Sequence, residues 1–183
     1  MNILAPEGWA QLNFLLDPRT GLSRFSKFST SQEELLKDMM VYCRRHPIEE
    51  IPTIPAVEER LHLYLEHEEF AEMQLRRCGK VTDRVVTADL RNEDPVYACN
   101  RFTVYALYPE CNVSVHVLKT SDPGRDQIAA GKSIINRTSN ANLGLIMLDY
   151  GGGGHQAAAT CQVETDKLDE ALAEITEHIT LEN

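Results

Sequence analysis

Several features that define other protein classes are missing from this 183-residue sequence. Its five cysteines form no C-x-x-C pair, which disfavours a zinc site or a disulfide framework and favours reduced thiols. Positive charge is in deficit, because 18 basic residues face 28 acidic ones and the net charge is −10. No apolar run approaches the roughly 18 residues that span a bilayer, and the first residues do not resemble a secretory signal. We therefore expect a cytoplasmic protein that does not bind duplex nucleic acid through its whole surface.

The second half of the chain alternates between strand and helix patterns. Apolar residues at every second position indicate strands, and apolar residues at three-to-four-residue spacing indicate helices. The patterns predict strands at 84–90, 112–118, 127–135 and 158–163, and helices at 98–108, 142–150 and 166–179. We therefore expect an α/β fold in which a mixed β-sheet is flanked by helices and preceded by helical segments.

The first half of the chain is predicted to be irregular and then helical. Prolines and glycines interrupt residues 1–30, so we expect no regular structure there. A capping-box pattern starts a helix at Thr30 or Ser31, and Pro47 ends it. The three-proline stretch at 47–55 indicates a linker or a broken turn, and a long polar helix with a thin apolar stripe follows to about residue 77.

Four consecutive glycines followed by a histidine, Gly151 to His155, form the most informative motif. Glycine runs cost conformational entropy and contribute no packing, so another demand is expected. Without Cβ atoms, consecutive backbone N–H groups can converge on an anion, and His155 adds a hydrogen-bond donor. A flexible loop with an incidental histidine is the alternative, because glycine also serves ordinary turns.

A second segment, residues 131–140, favours the same chemistry. It carries Lys132 and Arg137 within residues 129–148, which contain no acidic side chain although the chain is acidic overall. The planar fork of Arg137 matches phosphate oxygens. A solvated strand end is the alternative interpretation. The two segments together predict one anion site, with these candidate residues: Lys132, Asn136, Arg137, Ser139, Gly152, Gly153, Gly154 and His155.

These two segments resemble the C-terminal, DHH-associated domain of the DHH phosphoesterases, a family that includes nano-RNases, single-strand exonucleases and exopolyphosphatase-like enzymes. The glycine run ending in His155 and the following alanines are similar to that domain's signature. The resemblance covers about the last hundred residues. It departs from the family at Ala159, where the family usually has glycine.

The resemblance implies a three-part organisation. Residues 1–46 would be the end of a DHH catalytic domain, residues 47–78 the linker and interdomain helix, and residues 79–183 the DHH-associated domain. The family binds two divalent metals, usually manganese, through aspartates and histidines that include an Asp-His-His triplet. This chain has no such triplet, and Asp17 is its one candidate ligand, with a simple turn aspartate as the alternative. Apolar residues of the remnant, at 14–16 and 33–45, would then be exposed and favour self-association.

Two other constellations are rejected. The Gly131-Lys132-Ser133 triplet lacks the glycine that a P-loop needs five positions earlier, where Asp126 stands. His62, Glu66 and His67 could suggest a metal site, since His62 and Glu66 share a helix face. They belong to a run of charged residues, which is typical of a solvated surface.

The function implied by the resemblance is substrate binding in a metal-dependent phosphoesterase. The partner would be a short single-stranded oligonucleotide, a dinucleotide or polyphosphate, and we expect the chain to be inactive alone and to bind no metal stably. The alternatives are a non-catalytic phosphate- or nucleic-acid-binding module, a regulatory subunit, or a chain whose catalytic domain is supplied separately. No aromatic-rich strip accompanies the glycine run, so the sequence gives no support for base stacking.

Overall fold

A computed structural model describes residues 3–4 and 6–183 and shows three helices followed by a mixed sheet with further helices. The α-helices are α1 (Gly8–Leu16), α2 (Gln32–Tyr42), α3 (Pro55–Cys78), α4 (Thr103–Leu107), α5 (Leu143–Leu148) and α6 (Leu168–Leu181). The strands are β1 (Gly79–Thr82), β2 (Val85–Asp89), β3 (Val113–Lys119), β4 (Arg125–Lys132), β5 (Gly153–His155) and β6 (Ala158–Glu164). Short 3₁₀ turns lie at Pro18–Thr20, Leu22–Arg24, Ile48–Thr53 and Thr165–Lys167. The α/β class with a mixed sheet flanked by helices is confirmed.

The chain divides into two compact units. The first contains residues 1–74 and 97–103, and the second contains residues 75–96 and 104–183. Residues 1–46, expected to be the remnant of a catalytic domain, therefore share a unit with most of the expected linker helix. No helix in residues 3–4 and 6–183 is long and apolar enough to cross a membrane.

The first unit has a hydrophobic core of its own. Its buried members come from α1, α2, α3 and the turns between them: Leu12, Leu15, Leu22, Leu35, Met39, Ile51, Val57, Tyr64 and Ala98. Residues 1–30 are not irregular as predicted, because α1 buries Phe14 and Leu15 to 4% and 3% exposure. The predicted exposure of residues 14–16 is therefore wrong for Phe14 and Leu15, because both side chains are buried in the fold.

Helix α2 begins where the capping box predicted. The hydroxyl of Ser31 accepts a hydrogen bond from the backbone N–H of Glu34, and the Glu34 carboxylate accepts one from the backbone N–H of Ser31. The helix leaves Leu36, Met40 and Val41 exposed by 40%, 64% and 59%. The predicted apolar exposure of residues 33–45 therefore holds for these three side chains but is wrong for Leu35 and Met39, which are buried.

The second unit is built on a six-stranded sheet of order β1-β2-β3-β4-β6-β5. The pair β2–β3 is parallel and the other neighbouring pairs are antiparallel. One side of the sheet packs against α5 and α6 through the core residues Val113, Val115, Val117, Ile128, Ala130, Ala159, Cys161, Leu143, Ile146, Met147, Leu168, Ala171, Ile175 and Ile179. We call this side the helix face. Strand alternation places the intervening residues on the other side, the open face, which carries His116, Gln127, Ala129, Gly131, Ala158 and Thr160.

Two predicted elements are shorter than expected, and two strands were not predicted. The helix expected at 98–108 is confined to Thr103–Leu107, because the buried side chain of Asn100 accepts the backbone N–H of Phe102 and holds a turn. The strand expected to reach residue 135 ends at Lys132, because the Ser133 hydroxyl accepts the backbone N–H groups of Ile135 and Asn136. Strand β1 and the three-residue strand β5, within the expected glycine loop, are additional elements.

Candidate functional site

One end of the sheet brings the two predicted anion-binding segments together. The register places Gly131 of β4 opposite Ala158 of β6, and Ala158 opposite His155 of β5. The backbone N–H of Lys132 donates to the carbonyl of Ala157 at 2.9 Å. The end of β4 and the β5–β6 hairpin are therefore joined directly, although the two segments are about twenty residues apart in the sequence.

The loop after β4 is held by its own side chains. The Asn136 amide donates to the carbonyl of Glu110 at 2.8 Å, and its oxygen accepts the hydroxyl of Thr138 at 2.8 Å. The Lys132 ammonium donates to the carbonyl of Ser139 at 3.1 Å. Asn136 and Lys132 thus stabilise the loop in the structure, and binding a ligand through them would require these bonds to change.

Two predicted residues keep their polar groups available. Arg137 is exposed and donates from Nε to the carbonyl of Ile134 at 3.0 Å. Its two terminal nitrogens have no hydrogen-bond partner in the part of the chain that the structure describes. His155 is exposed and lies with Ala158 on the open face, whereas Lys132 belongs to the helix-face register. The structure therefore brings the two segments to one end of the sheet, with Lys132 and His155 on opposite faces.

Ser139 contributes an unsatisfied group to the same loop. Its hydroxyl oxygen is buried and has no hydrogen-bond partner among the described residues. A buried hydroxyl without a partner costs free energy and calls for a water or a ligand. This observation is consistent with a polar ligand reaching the loop.

The four glycines differ in what a side chain would meet at their positions. Gly151 has φ +71°, a left-handed conformation that L side chains rarely adopt. A Cβ on Gly152 would lie 2.2 Å from the carbonyl oxygen of Thr160, and a Cβ on Gly154 would lie 2.5 Å from that of Ala158. A Cβ on Gly153 would meet no atom within 4 Å, and its φ lies outside the left-handed range. Packing and backbone geometry therefore explain three of the glycines and leave Gly153 without a structural reason.

Helix α5 holds the glycine loop against the sheet. A Cβ on Gly144 of α5 would lie 2.9 Å from the carbonyl oxygen of Gly154, so the helix and the loop touch through their backbones. The backbone N–H of Leu143 donates to the carbonyl of Gln156 at 3.2 Å. Asn142 caps α5 by accepting the backbone N–H of Leu145. These contacts fix the hairpin that presents His155.

Ala159, the departure from the family motif, has a packing role. It is 7% exposed and belongs to the helix-face core. Its methyl group therefore points away from the open face, on which Ala158 and His155 lie.

Asp17 does not form part of a metal centre within the described residues. Its carboxylate accepts the Nε of Arg19 at 2.7 Å and the Nη2 of Arg19 at 2.8 Å, and it caps the turn Pro18–Thr20. Burial, the largest single influence, raises the pKa of Asp17, but the hydrogen bonds and charge of Arg19 and the charge of Arg101 outweigh it and hold the pKa below its usual value. Across residues 3–4 and 6–183 no group of three or more His, Cys, Asp or Glu side chains could hold a metal ion. The residues present therefore do not fit a two-metal centre.

Neither rejected constellation has the geometry of a metal site or a P-loop in the described residues. His62 and Glu66 are exposed side chains that approach each other at 3.4 Å, as expected for a solvated helix surface. His67 differs from that expectation, because it is partly buried and its Nδ1 accepts the backbone N–H of Ala98 at 3.2 Å. Gly131-Lys132-Ser133 lies at the end of β4 and is followed by a loop, whereas a P-loop opens a helix.

Sequence reasoning missed the polar side chains of the open face. His116, Gln127 and Thr160 lie on three neighbouring strands, β3, β4 and β6, and converge only through the register of the sheet. One signal was available in the sequence, because His116 is a polar residue between two valines of β3. Alternation alone assigns it to a different face from Val115 and Val117. That signal does not reveal which residues lie beside it.

Similarity to known proteins is found among solved structures. No family model and no curated protein matches the chain. Among solved structures, the chain is similar to a pGpG-specific phosphodiesterase from Vibrio cholerae, with 44% identity and a TM-score of 0.87 over 99% of this chain and 62% of that one. It also shares its fold with CDC45 from Entamoeba histolytica, with 9% identity and a TM-score of 0.57 over 91% of this chain and 37% of that one. A further similarity is to an exopolyphosphatase-related protein from Bacteroides fragilis, with 10% identity and a TM-score of 0.47 over 84% of this chain and 45% of that one.

The chain belongs to the DHH phosphoesterase family. The 44% identity to a phosphodiesterase over 99% of the chain agrees with the glycine-histidine motif from which the resemblance was inferred. The chain spans 62% of the length of that phosphodiesterase.

Proposed function

We propose that this chain is the substrate-binding part of a DHH phosphodiesterase that acts on dinucleotides such as pGpG or on similarly short oligonucleotides. The phosphate would be held at Gly153 by the peptide groups there together with Arg137 and His155. The N–H groups of Gly151 and Gly152 do not contribute, because they donate to the carbonyls of Leu148 and Met147. The pGpG-specific relative supports the dinucleotide class, because its 44% identity extends over 99% of this chain. Polyphosphate is the less favoured substrate, since it has no base to occupy the face of the sheet beside the loop.

The observation that carries this proposal is Gly153. Its Cβ position opens onto space, and neither its φ nor its neighbours require glycine. A ligand that approaches the backbone closely accounts for the missing side chain, since a phosphate needs direct access to peptide N–H groups. Gly153 lies two residues before His155, so the loop amides and the imidazole can approach one anion from adjacent positions.

Within this proposal, residues other than those described would supply the metal chemistry of such an enzyme. The manganese or other divalent ions expected from the family would need a ligand set that Asp17 alone does not provide. Within this proposal the chain binds and orients the substrate by its phosphates, and a catalytic domain in a longer chain or in a partner performs the hydrolysis. We therefore expect a cytoplasmic protein. As an isolated chain it should bind the substrate but not hydrolyse it.

The contacts of Asp17 also favour a second candidate function, a non-catalytic phosphate- or nucleic-acid-binding module. The Asp17 carboxylate is bonded to Arg19 and is not available to a metal without breaking that pair. A chain that binds anions and regulates a partner would show the same binding and no turnover. The two functions separate when the catalytic partner is added, because only the enzyme part would then support hydrolysis.

Calorimetric titration tests the binding site. pGpG, a short 5′-phosphorylated oligonucleotide and tripolyphosphate are titrated into the wild type and into Gly153→Ala, Arg137→Ala and His155→Ala. Arg137→Ala is expected to cost about 1.5–3 kcal/mol of binding free energy, the usual range for a hydrogen bond to a charged group. Gly153→Ala is expected to weaken binding at least tenfold, because its methyl group would occupy the anion's position.

Lys119→Ala is the matched control. Lys119 is exposed at the opposite end of β3 and also carries one positive charge. Its loss should change affinity less than twofold, so a larger effect would indicate a general electrostatic attraction rather than a site. Unchanged affinity in all three site variants, with their folds intact, would remove the proposed site.

A further inference from the structure

Three polar side chains, His116, Gln127 and Thr160, surround small residues on the open face, and we call the surface between them the slot. His116 of β3 and Thr160 of β6 lie on one rung with Ala129 of β4 between them, so their Cα atoms are about 10 Å apart. Gln127 lies two residues before Ala129 on β4 and donates from Nε2 to the Thr160 hydroxyl at 3.0 Å. Ala129, Ala158 and the backbone of Gly131 form the floor.

These polar groups retain hydrogen-bonding capacity. Gln127 keeps its carbonyl oxygen and a second N–H, and Thr160 keeps its hydroxyl proton. Neither ring nitrogen of His116 has a hydrogen-bond partner in the described residues. Burial lowers the pKa of His116 to about 4, so its ring is neutral near pH 7 and offers one donor and one acceptor. Because these three side chains are uncharged near pH 7, they suit a neutral polar group of a ligand rather than a second phosphate.

Gly131 is small because a Cβ there would lie 3.1 Å from the Tyr105 hydroxyl oxygen, whereas Ala129 and Ala158 lie where the side chain could extend away from the sheet. Alanine is depleted in strands because it fills little of the pleated surface. Ala130 and Ala159 are small where they contact the covering helices, at 6% and 7% exposure. Ala129 and Ala158 lie on the other side, where Ala158 is exposed and Ala129 is partly exposed. A flat floor of methyl groups leaves room for a planar ring to approach the sheet.

The slot adjoins the phosphate-binding candidates. Ala158 pairs with His155, and Thr160 pairs with Gly153. A ligand whose phosphate lies at Gly153 and His155 therefore has its next planar group within reach of Ala158 and Thr160. Tyr105 borders the floor, where its hydroxyl donates to the Gly131 carbonyl at 2.8 Å.

We propose that His116, Gln127 and Thr160 form a specificity pocket for the nucleobase adjacent to the bound phosphate, with a guanine-type base preferred. This inference rests on the proposed function. A guanine presents acceptors and amine donors at its edges, and it therefore matches the mixed donor and acceptor set of these three side chains. The alanine floor supplies the apolar surface against which the ring lies. His155, at the edge of the slot, contributes an aromatic side chain beside the base.

The experiment compares ligands that share phosphate but differ in base. pGpG, pUpU and tripolyphosphate are titrated calorimetrically into the wild type, Thr160→Val, Gln127→Met and Ala158→Leu. The wild type is expected to prefer pGpG over pUpU. Thr160→Val and Gln127→Met are expected to reduce pGpG affinity at least fivefold, and Ala158→Leu at least tenfold because its side chain fills the slot. Tripolyphosphate affinity is expected to stay within twofold in all three variants.

Thr82→Val is the matched control, because Thr82 is exposed on the distant edge strand β1 and loses the same hydroxyl. As a second readout on the unmodified protein, pGpG should shift the methyl NMR resonances of Ala129, Ala158 and Thr160, whereas tripolyphosphate should leave them in place.

The outcomes separate the slot from the anion site. Tight pGpG binding by the wild type that is unchanged in all three slot variants, or equal losses of pGpG and tripolyphosphate, would overturn the base pocket while leaving the proposed function standing. A wild type that binds none of the ligands would overturn the proposed function and, with it, this inference.

Discussion

At the residue scale, Gly152 and Gly153 are expected to respond differently to substitution, because a side chain fits at Gly153 but not at Gly152. A methyl group on Gly152 would lie 2.2 Å from the Thr160 carbonyl oxygen and 2.5 Å from the Cys161 Cβ, so β6 would have to shift. We expect Gly152→Ala to destabilise the protein by about 1–3 kcal/mol, the usual cost of overpacking. Gly153→Ala is the control and should leave the free energy of unfolding within about 0.5 kcal/mol, the usual range for surface substitutions. Urea denaturation measures both values, and equal stability of the two variants would contradict this assignment.

His116 gives the protein an acid-sensitive residue in the sheet. Burial lowers its pKa to about 4, below the value of about 6.5 expected in the unfolded chain. Because the unfolded chain takes up this proton at higher pH than the folded chain does, acid favours unfolding. The stability contribution is complete above about pH 6.5 and is lost as the pH falls to about 4, by up to roughly 3 kcal/mol.

Unfolding curves of the wild type and His116→Gln between pH 7 and pH 4 measure this contribution. Both proteins lose stability in acid through their carboxylates, so the difference between the two curves is the relevant quantity. We expect the wild type to lose more stability than His116→Gln. Parallel curves would show that His116 titrates alike in the folded and unfolded states.

At the element scale, α2 depends on a local signal that substitution can remove. The Ser31 hydroxyl and the Glu34 carboxylate satisfy two backbone N–H groups at its start. Ser31→Ala should therefore cost about 1 kcal/mol of unfolding free energy. Ser26→Ala, an exposed serine outside any helix, is the control and should be neutral within experimental error. Thermal unfolding of both variants checks the prediction, which fails if Ser31→Ala melts at the wild-type temperature.

The elements that the sequence predicted are those with local determinants. The start of α2 and the alternating strand β3 were recognisable because a capping box or a two-residue period lies within a few neighbouring residues. Helix α1 was missed because it begins at Gly8 with no side-chain cap and depends on burial of its apolar residues. Strand β5 was missed because glycines carry no strand signal, so its pairing with β6 is a long-range result.

The candidate site was predictable in part for the same reason. The motif residues identified the glycine loop and the Arg137 segment, and a short connecting helix made their return to one sheet end plausible. The sequence did not reveal that Asn136 would be bonded to Glu110 and Thr138, or that His155 would share the open face with Thr160. The Asn136 bonds depend on how two loops pack, and the shared face of His155 and Thr160 depends on strand register, which only the folded sheet defines.

At the scale of the whole molecule, α2 leaves an apolar stripe on the first unit. Leu36, Met40 and Val41 are exposed by 40%, 64% and 59%, and exposed apolar clusters favour association. We expect concentration-dependent self-association in sedimentation velocity, reduced by Met40→Glu. Asn13→Glu adds the same charge to an exposed position of α1 and should leave association unchanged. A wild type that stays monomeric over the accessible concentrations would contradict the prediction.

The 183-residue chain is expected not to hydrolyse a phosphodiester by itself. Hydrolysis of a phosphodiester by a two-metal centre requires several ligands that hold the ions about 4 Å apart. The described residues offer no group of three such ligands, and the Asp17 carboxylate is bonded to Arg19. We therefore expect the chain to bind pGpG but to release no nucleotide from it with manganese or magnesium, as measured by chromatography of the reaction mixture. Arg19→Ala, which frees Asp17, should also be inactive, because one carboxylate cannot hold two ions. Chelator-sensitive turnover that disappears in Asp17→Asn would show that Asp17 does bind a catalytic metal and would refute both the prediction and the assignment of this chain to substrate binding alone.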